Sequence, residues 1–373
     1  MRVDVFAVED TAAQVCFAGA APGELTFSAG PAKVTVLSHG EPGAVTLEGL
    51  PPASAFELVV DEPGRPARRV GRFATLEPPP GRLLSRFATM NDLHFGAHTF
   101  GTFRPIFEDD GADPHPVRCA RAAVNEARAW GAELLVLKGD LTQHATPKEW
   151  DEVGTFLASA GPAVVIEGNH DTAWKAVDGA GPLARYGVRL HQRPHAVDMA
   201  GVRLVVVPTA HWHIDHGVID ASDLRDTVAL LGDAPGPTVV AMHHYPQRFR
   251  WPTMYPSGIP GPAAARFLDA LAEANPATIV LTGHSHRHRL HRHGPLVVAE
   301  VGSTKDYPGS WAGYAVHEGG IRQVTRRVAA PDAISWTERG RRVLGGLWGV
   351  WAAGVRSHRC FTHPWPDRPP PPA

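Results

Sequence analysis

The stretch Ala163-Val164-Val165-Ile166-Glu167-Gly168-Asn169-His170-Asp171 decides how the rest of this chain is read. Four apolar residues predict a buried strand, and a glycine then opens a sharp turn carrying an amide, an imidazole and a carboxylate in succession. The same grammar recurs along the chain. Arg86 to Met90 precedes Asp92-Leu93-His94, Leu134 to Leu137 precedes Gly139-Asp140, Thr238 to Met242 precedes His243-His244, and Thr278 to Leu281 precedes Gly283-His284-Ser285-His286. A further strand is predicted at Arg203 to Val207, and helical spacing of apolar residues predicts helices over Val117 to Trp130, Ala221 to Leu231 and Ala263 to Ala274. Strands alternating with helices make this an α/β domain. In such sheets the loops beyond the carboxyl ends of the strands share one edge, so motifs far apart in sequence converge on one cleft. Residues two apart in an extended segment point the same way, so Asp92 with His94, and His284 with His286, can each offer two ligands there.

Outward from this region the composition changes. Residues 1–77 carry short alternating runs such as Val34-Thr35-Val36 and Ala44-Val45-Thr46-Leu47 between closely spaced turn signals, predicting a small all-β sandwich. Pro78-Pro79-Pro80-Gly81 interrupts regular structure, which places a linker at 78–83 and the start of the α/β domain at 84. That domain is expected to run to about residue 330, followed over 331–373 by a helical segment with Leu347, Trp348 and Trp351 at near-helical spacing and a tail ending in Pro369 to Pro372.

Bulk composition excludes several function classes. With 36 Lys and Arg against 38 Asp and Glu, the net charge of −2 supplies no field that would gather nucleic acid or an anionic membrane. Cys16, Cys119 and Cys360 are far apart and form no C-x-x-C pair, so neither a disulfide framework nor a thiolate zinc site is expected, and a cytoplasmic location fits. The 21 histidines matter because imidazole is the commonest metal ligand and the usual proton carrier near neutral pH.

Taken in order, Asp92-x-His94, Gly139-Asp140, Gly168-Asn169-His170-Asp171, His243 and Gly283-His284-x-His286 resemble the signature of the calcineurin-like metallophosphoesterases, including the class III cyclic-nucleotide phosphodiesterases. The resemblance implies a four-layer α/β/β/α sandwich over about residues 84–330. It further implies two divalent transition-metal ions, with Asp92, His94 and His286 on one, Asn169, His243 and His284 on the other, and Asp140 between them. His243 takes the ligand role because the family's ligand directly follows the strand and precedes His-Pro-Pro, here His244-Tyr245-Pro246. His170 would be the general acid and Asp171 would orient it. The ligand types suit Mn, Fe, Zn or Co and disfavour Ca, whose sites are built from oxygen. Gln143 stands where a purple acid phosphatase would carry tyrosine, which argues against a tyrosinate-stabilised Fe(III). Over Val45 to Thr75 the N-terminal region resembles the last strands of a fibronectin type III domain, a possible surface for protein contact.

The expected reaction is phosphoester hydrolysis. Phosphodiesters resist attack because their anionic oxygens repel a nucleophile, and two cations about 3.5–4 Å apart neutralise that charge while acidifying a bridging water. A small-molecule or nucleotide diester is the preferred substrate. Arg248 and Arg250 would grip phosphate, with Trp251 and Tyr255 stacking on a base. Three alternatives stay open at this point: a phosphomonoesterase or protein phosphatase on the same site, a non-catalytic binding protein, and a metallo-β-lactamase-like hydrolase. The last would use His211, His213, Asp215 and His216, which spell H-x-H-x-D-H after a strand.

Overall fold

The computed structural model describes residues 1–101, 106–108, 113–172, 177–249, 251 and 256–366. Short alternating runs separated by turns form seven strands at the N-terminus: β1 (Arg2–Val8), β2 (Ala12–Ala18), β3 (Gly23–Ala29), β4 (Ala32–Ser38), β5 (Gly43–Glu48), β6 (Ala55–Asp61) and β7 (Arg68–Ala74). They pair antiparallel into one sheet ordered β1-β2-β5 and another ordered β4-β3-β6-β7. Val15, Phe17, Phe27, Leu47 and Val60 fill the space between the two faces.

After the proline run come β8 (Leu83–Met90), the two-residue partners β9 (Thr99–Phe100) and β10 (Ile106–Phe107), α1 (His115–Ala129), β11 (Leu134–Lys138), α2 (Pro147–Ala160) and β12 (Ala163–Ile166). Next are α3 (Asn169–Thr172), α4 (Ala180–Ala184), β13 (His195–Met199), β14 (Val202–Val206), α5 (Ala221–Gly232), β15 (Thr238–Ala241), α6 (Gly261–Ala274) and β16 (Thr278–Thr282). The remainder comprises β17 (Arg289–His293), β18 (Leu296–Glu300), β19 (Ser310–His317), β20 (Gly320–Arg327), α7 (Pro331–Gly340), a 3₁₀ turn at Val343–Gly346, α8 (Leu347–Ala353), α9 (Arg356–Arg359) and β21 (Cys360–Pro364).

Two six-stranded sheets result, ordered β12-β11-β8-β19-β20-β21 and β13-β14-β15-β16-β18-β17. Phe87, Val136 and Ile166 of the first meet Val206, Ala241 and Leu281 of the second in a dry core between the sheets. On the outer faces, Ala120, Ala123 and Leu157 of α1 and α2 pack over Leu135 and Leu137, and Leu231, Phe267 and Leu271 of α5 and α6 pack over Val205 and Val240. Where both faces are covered, as along β12, β15 and Leu134 to Leu137 of β11, the strands read as near-continuous apolar runs rather than alternating ones. The order helix, sheet, sheet, helix is the four-layer α/β/β/α architecture. β8, β11 and β12 run parallel in one sheet and β14, β15, β16 and β18 in the other, so the loops following them gather at one rim.

Two features differ from the sequence reading. Helix α2 was not expected, although its start is written in Thr146-Pro147-Lys148-Glu149: Thr146 accepts from the Glu149 backbone N–H, and Glu149 accepts in return. At the other end, β21 adds a strand to β20 from Gly320↔Pro364 to Val324↔Cys360, so the first sheet draws on residues well past the boundary expected at 330. An open β20 edge would leave a row of unpaired N–H and C=O groups, which β21 satisfies. The proline tail beyond it lies outside the described residues.

The N-terminal sandwich is docked onto this unit by buried polar contacts. The Gln14 amide exchanges two hydrogen bonds with the Arg327 backbone, at 2.8 and 2.9 Å. Glu9, 6% exposed, receives Arg322 at 3.3 Å, Arg326, and the Trp130 indole N–H at 3.2 Å. Burial opposes ionisation of Glu9, but the two guanidinium charges outweigh it and hold the carboxyl below its ordinary 4.5. A carboxylate depressed in the folded state stabilises fully above that ordinary value, and the contribution is lost as pH falls through the folded value. Glu9→Gln is therefore expected to cost about 2 kcal/mol at pH 7, since it takes the carboxylate from Arg326 and leaves Arg322 with Asp10 alone, and to make the melting temperature less sensitive to acid below pH 4.5 than the wild type. Thermal melts of both proteins from pH 3 to 7 check this, and parallel curves would contradict it. Among the described residues, no helix is long and apolar enough to cross a membrane.

Candidate metal centre

Every motif singled out in the sequence sits directly beyond a strand at the shared rim. Asp92 and His94 follow β8, Asp140 follows β11, Asn169 opens α3 after β12, His243 and His244 follow β15, and His284 and His286 follow β16. Nine described non-glycine residues have positive φ; Asp92 (55°), His94 (49°), Asp140 (51°), His284 (67°) and His286 (51°) are five of them. Such conformations cost roughly 1–3 kcal/mol each and persist where the surroundings over-determine them. Here they bend the chain so that successive side chains turn into one cleft.

The imidazoles are oriented in a consistent way. His243 donates through Nδ1 to the Lys138 carbonyl at 2.7 Å, which leaves Nε2 facing inward, 3.2 Å from Asn169 Oδ1 and 3.4 Å from Asp140 Oδ2. His284 donates through Nε2 to the Ser257 carbonyl at 3.1 Å and turns Nδ1 inward. His286 donates through Nδ1 to Asp306 at 3.1 Å, leaving Nε2 at 3.5 Å from Asp92 Oδ1. A carboxylate or carbonyl on one ring nitrogen fixes the tautomer and readies the other nitrogen as a ligand. His94 is 3% exposed, and neither of its nitrogens has a hydrogen-bond partner among the described residues; Nε2 lies 3.6 Å from Asp140 Oδ2. Asp306 was not foreseen. It is more than 200 residues from Asp92 in sequence and carries no local motif, so nothing short of the fold reveals it.

These donors match what a cation pair requires. His243 Nε2 and His284 Nδ1 stand 3.1 Å apart with their opposite nitrogens already donating, so the pair shares one positive charge between them, a proton or a metal ion. Ligand atoms of Asp92, His94 and His286 fall within 4.8 Å of one another, as do those of Asp92, Asp140 and His243, and those of His243, His244 and His284. His244 differs from His243 in its partners: its Nδ1 meets Thr209 Oγ1 at 2.9 Å, and its buried Nε2 has no hydrogen-bond partner among the described residues. Imidazoles, carboxylates and one amide oxygen together suit transition ions better than Ca(II) or Mg(II).

The electrostatics show how strongly the cleft calls for positive charge. Burial opposes ionisation of Asp92 and Asp140, yet the His286 charge beside Asp92 and the His243 charge beside Asp140 hold both carboxyls well below the usual range. In the opposite direction, burial is overcome at His243 by Asp140, which raises it to about 9, and at His286 by Asp92, which raises it to about 10. His284 has no such compensation: burial and the His243 charge push it down to about 3.

Three expectations are corrected by the geometry. Asp171 does not reach the His170 ring among the described contacts. Its carboxylate is consumed by the backbone N–H groups of Leu141, Thr142 and Gly168 and by the Thr142 hydroxyl, at 2.7–3.0 Å. It ties the Asp140 loop to the Asn169 loop, while His170 Nδ1 binds the Gln143 carbonyl at 3.0 Å instead. The run His211, His213, Asp215 and His216 does not assemble: among the described residues no metal-competent group includes any of the four. A bridge between His211 and Ile214 folds the run into a tight turn with His213 at φ 59°, which splays the side chains, and only Asp215 and His216 face the cleft. Finally, Arg248 leans over the Phe249 ring at 5.7 Å and Trp251 is 75% exposed; neither lines the cleft, and Arg250 and Tyr255 lie outside the described residues. Paired hydrogen bonds of Tyr245 and Gln247 with Ile259 pin the base of that loop, and Pro256 and Ser257 face the cleft.

The cleft is a cavity of about 770 Å³ that joins His94, Asp140, Asn169, His170, His284 and His286 to two further walls. Asp215, His216 and Ser257 form one; Phe100, Val343, Leu344 and Trp348 form the other.

No curated protein matches the chain in sequence. Among solved structures, one of PhoD is similar at 12% identity with a TM-score of 0.45, over 88% of this chain and 87% of that one. A purple acid phosphatase, PPD1 from seeds of yellow lupin (Lupinus luteus), is similar at 11% identity and a TM-score of 0.46, over 88% and 72%. The phosphopantetheinyl hydrolase PptH of Mycobacterium tuberculosis is similar at 14% identity and 0.35, over 59% and 90%. A model of the calcineurin-like phosphoesterase family matches residues 85–288, the stretch that carries all five motifs. The chain belongs to the calcineurin-like phosphoesterase family.

Proposed function

We propose that this protein hydrolyses phosphodiesters with two divalent transition-metal ions, Mn, Fe or Zn, held by Asp92, His94 and His286 on one side and by Asn169, His243 and His284 on the other, with Asp140 shared. The observation that carries the reading is the convergence of His243 Nε2 and His284 Nδ1, 3.1 Å apart in a buried site where the opposite ring nitrogens already bond backbone carbonyls. Bound there, such ions supply charge neutralisation at the phosphoryl oxygens and make water acidic enough to ionise near neutral pH.

The chain's own groups do the rest. The His170 backbone N–H donates to Asp140 Oδ1 at 2.9 Å, which fixes the carboxylate's second oxygen toward His94 and His243. With Nδ1 tied to the Gln143 carbonyl, His170 has only Nε2 to offer the cleft, the atom from which a proton would pass to the departing alkoxide. The cavity of about 770 Å³ extends past the ligands to both apolar and polar lining residues, which supports a diester with two substituents over a monoester.

Turnover of bis(p-nitrophenyl) phosphate against p-nitrophenyl phosphate with added Mn(II) tests the reading, and a preference for the monoester would overturn the diester assignment. His170→Gln is expected to lower kcat about 10²–10³-fold at unchanged metal content, the usual worth of a positioned proton donor. Loss of metal along with activity would assign His170 to the ligand shell instead.

We read residues 1–77 as a fibronectin type III-like module, supported by its seven strands in sheets of three and four. A cytoplasmic, reducing setting is supported by three buried, unpaired cysteines.

A further inference from the structure

The apolar wall of the cleft comes from outside the stretch that the family model matches. Val343, Leu344 and Trp348 belong to the 3₁₀ turn and α8, beyond residue 288, and they meet Phe100 across the mouth, with the Phe100 and Trp348 rings 5.2 Å apart. The wall is fastened to the loop that carries His284 and His286. His288 N–H donates to the Ala352 carbonyl at 3.0 Å, Trp348 packs on Trp351 at 4.9 Å, and the Arg287 guanidinium lies 5.1 Å above the Trp351 ring. Behind Phe100, at 5.7 Å, stands Lys305, whose ammonium pairs with Asp306, the partner of His286. The wall therefore adjoins the Asp92, His94 and His286 side of the centre. The rest of the lining includes polar residues, Asp215, His216 and Ser257, the last bonded to His284 on the Asn169, His243 and His284 side.

A half-exposed Leu344, at 54%, is an unusual choice for the rim of a site that binds a hydrated phosphoryl anion, and its backbone is held at φ 53°, where leucine is rarely found. Water on this wall is released only by an apolar ligand group. Resting on the phosphodiesterase reading above, we infer that the substrate is asymmetric: a phosphodiester with one hydrocarbon ester arm seated on Phe100, Leu344 and Trp348, and a polar arm facing Asp215 and His216.

Alkyl 4-nitrophenyl phosphates from methyl to hexyl, kept below micelle-forming concentrations, test this with the full-length, Mn(II)-loaded protein. The kcat/KM is expected to rise about two- to fourfold per methylene, the range set by partial to full burial of a CH₂ group. Leu344→Asn, which suits the left-handed backbone, and Trp348→Ala should flatten that rise. Leu347→Asn should leave the slope unchanged, since Leu347 is 73% exposed and outside the cavity. A slope of zero in the wild type overturns the inference. If no ester is cleaved at all, the hydrolytic reading fails separately, and calorimetric binding of alkylphosphonates of increasing length still decides about the wall: affinity that climbs with length supports it, and flat affinity overturns it.

Discussion

Replacing Asp140 with Asn is expected to abolish hydrolysis, by about 10³-fold or more, and to reduce bound metal from two ions toward one. Asp140 is 2% exposed, and Oδ2 lies 3.4 Å from His243 and 3.6 Å from His94, so this single oxygen adjoins donors from both ligand groups. Asparagine preserves the volume and can keep the bond from the His170 N–H, which removes cavity formation as an explanation. What it removes is one negative charge in a buried cleft crowded with imidazoles. Losing one partner of a buried charge pair typically costs about 3–5 kcal/mol, and each 1.4 kcal/mol is a factor of ten in rate or affinity. Elemental analysis of the purified variant together with initial rates checks both halves. Full metal occupancy with near wild-type turnover would remove Asp140 from the centre.

Gly168→Ala is expected to lower activity by about 10²-fold or more while the protein remains folded, a loss that a 1 Å misplacement of a reacting group can produce. A Cβ at this position would lie 2.2 Å from Asp140 Oδ1, 2.4 Å from the Asp140 backbone nitrogen and 2.8 Å from His243 Cε1. The first contact can yield by rotation of a carboxylate, but the second is backbone and cannot. The Asp140 and Asn169 loops must separate, and Asp171, which clamps them through its bonds to Leu141, Thr142 and Gly168, resists that separation. Gly181→Ala is the matched control, because an added Cβ there meets nothing within 4 Å. Equal activity in the two variants would contradict the close-approach argument.

Much of the centre was legible because its chemistry is written locally. A β-strand followed by glycine and a ligand-type side chain is a short-range pattern, and parallel topology then delivers each such turn to the same rim without further information. Gly139, Gly168 and Gly283 mark places where backbone or side chains of neighbouring loops come too close for a Cβ, which is why the turns contain glycine. Helix α2 was legible too, in the capping box at Thr146 and Glu149, and was passed over because its apolar spacing is less regular than that of α1.

Other features depend on contacts that no local pattern encodes. Asp171 follows His170 directly, so a catalytic pairing was the natural reading. The helical turn that begins at Asn169 points the two side chains apart and gives Asp171 to the Asp140 loop. Arg248 and Trp251 follow the strand that precedes His243, but the cleft is lined by Pro256 and Ser257 of that loop and not by these two residues. Asp306, β21 and the wall built from Leu344 and Trp348 reach the centre or its sheet through contacts about 20 to 65 residues apart in sequence, beyond the reach of any local pattern.

The sequence by itself determined the α/β class, the N-terminal sandwich, the rim and the identity of the residues that meet there, because strand periodicity, glycine turns and ligand types are local properties. Tertiary structure alone decided which nitrogen of each histidine faces inward, which carboxylate is a clamp rather than a proton relay, and that one side of the cleft is apolar. Those are matters of side-chain direction, and direction is set by neighbours that only folding brings within 3 to 5 Å.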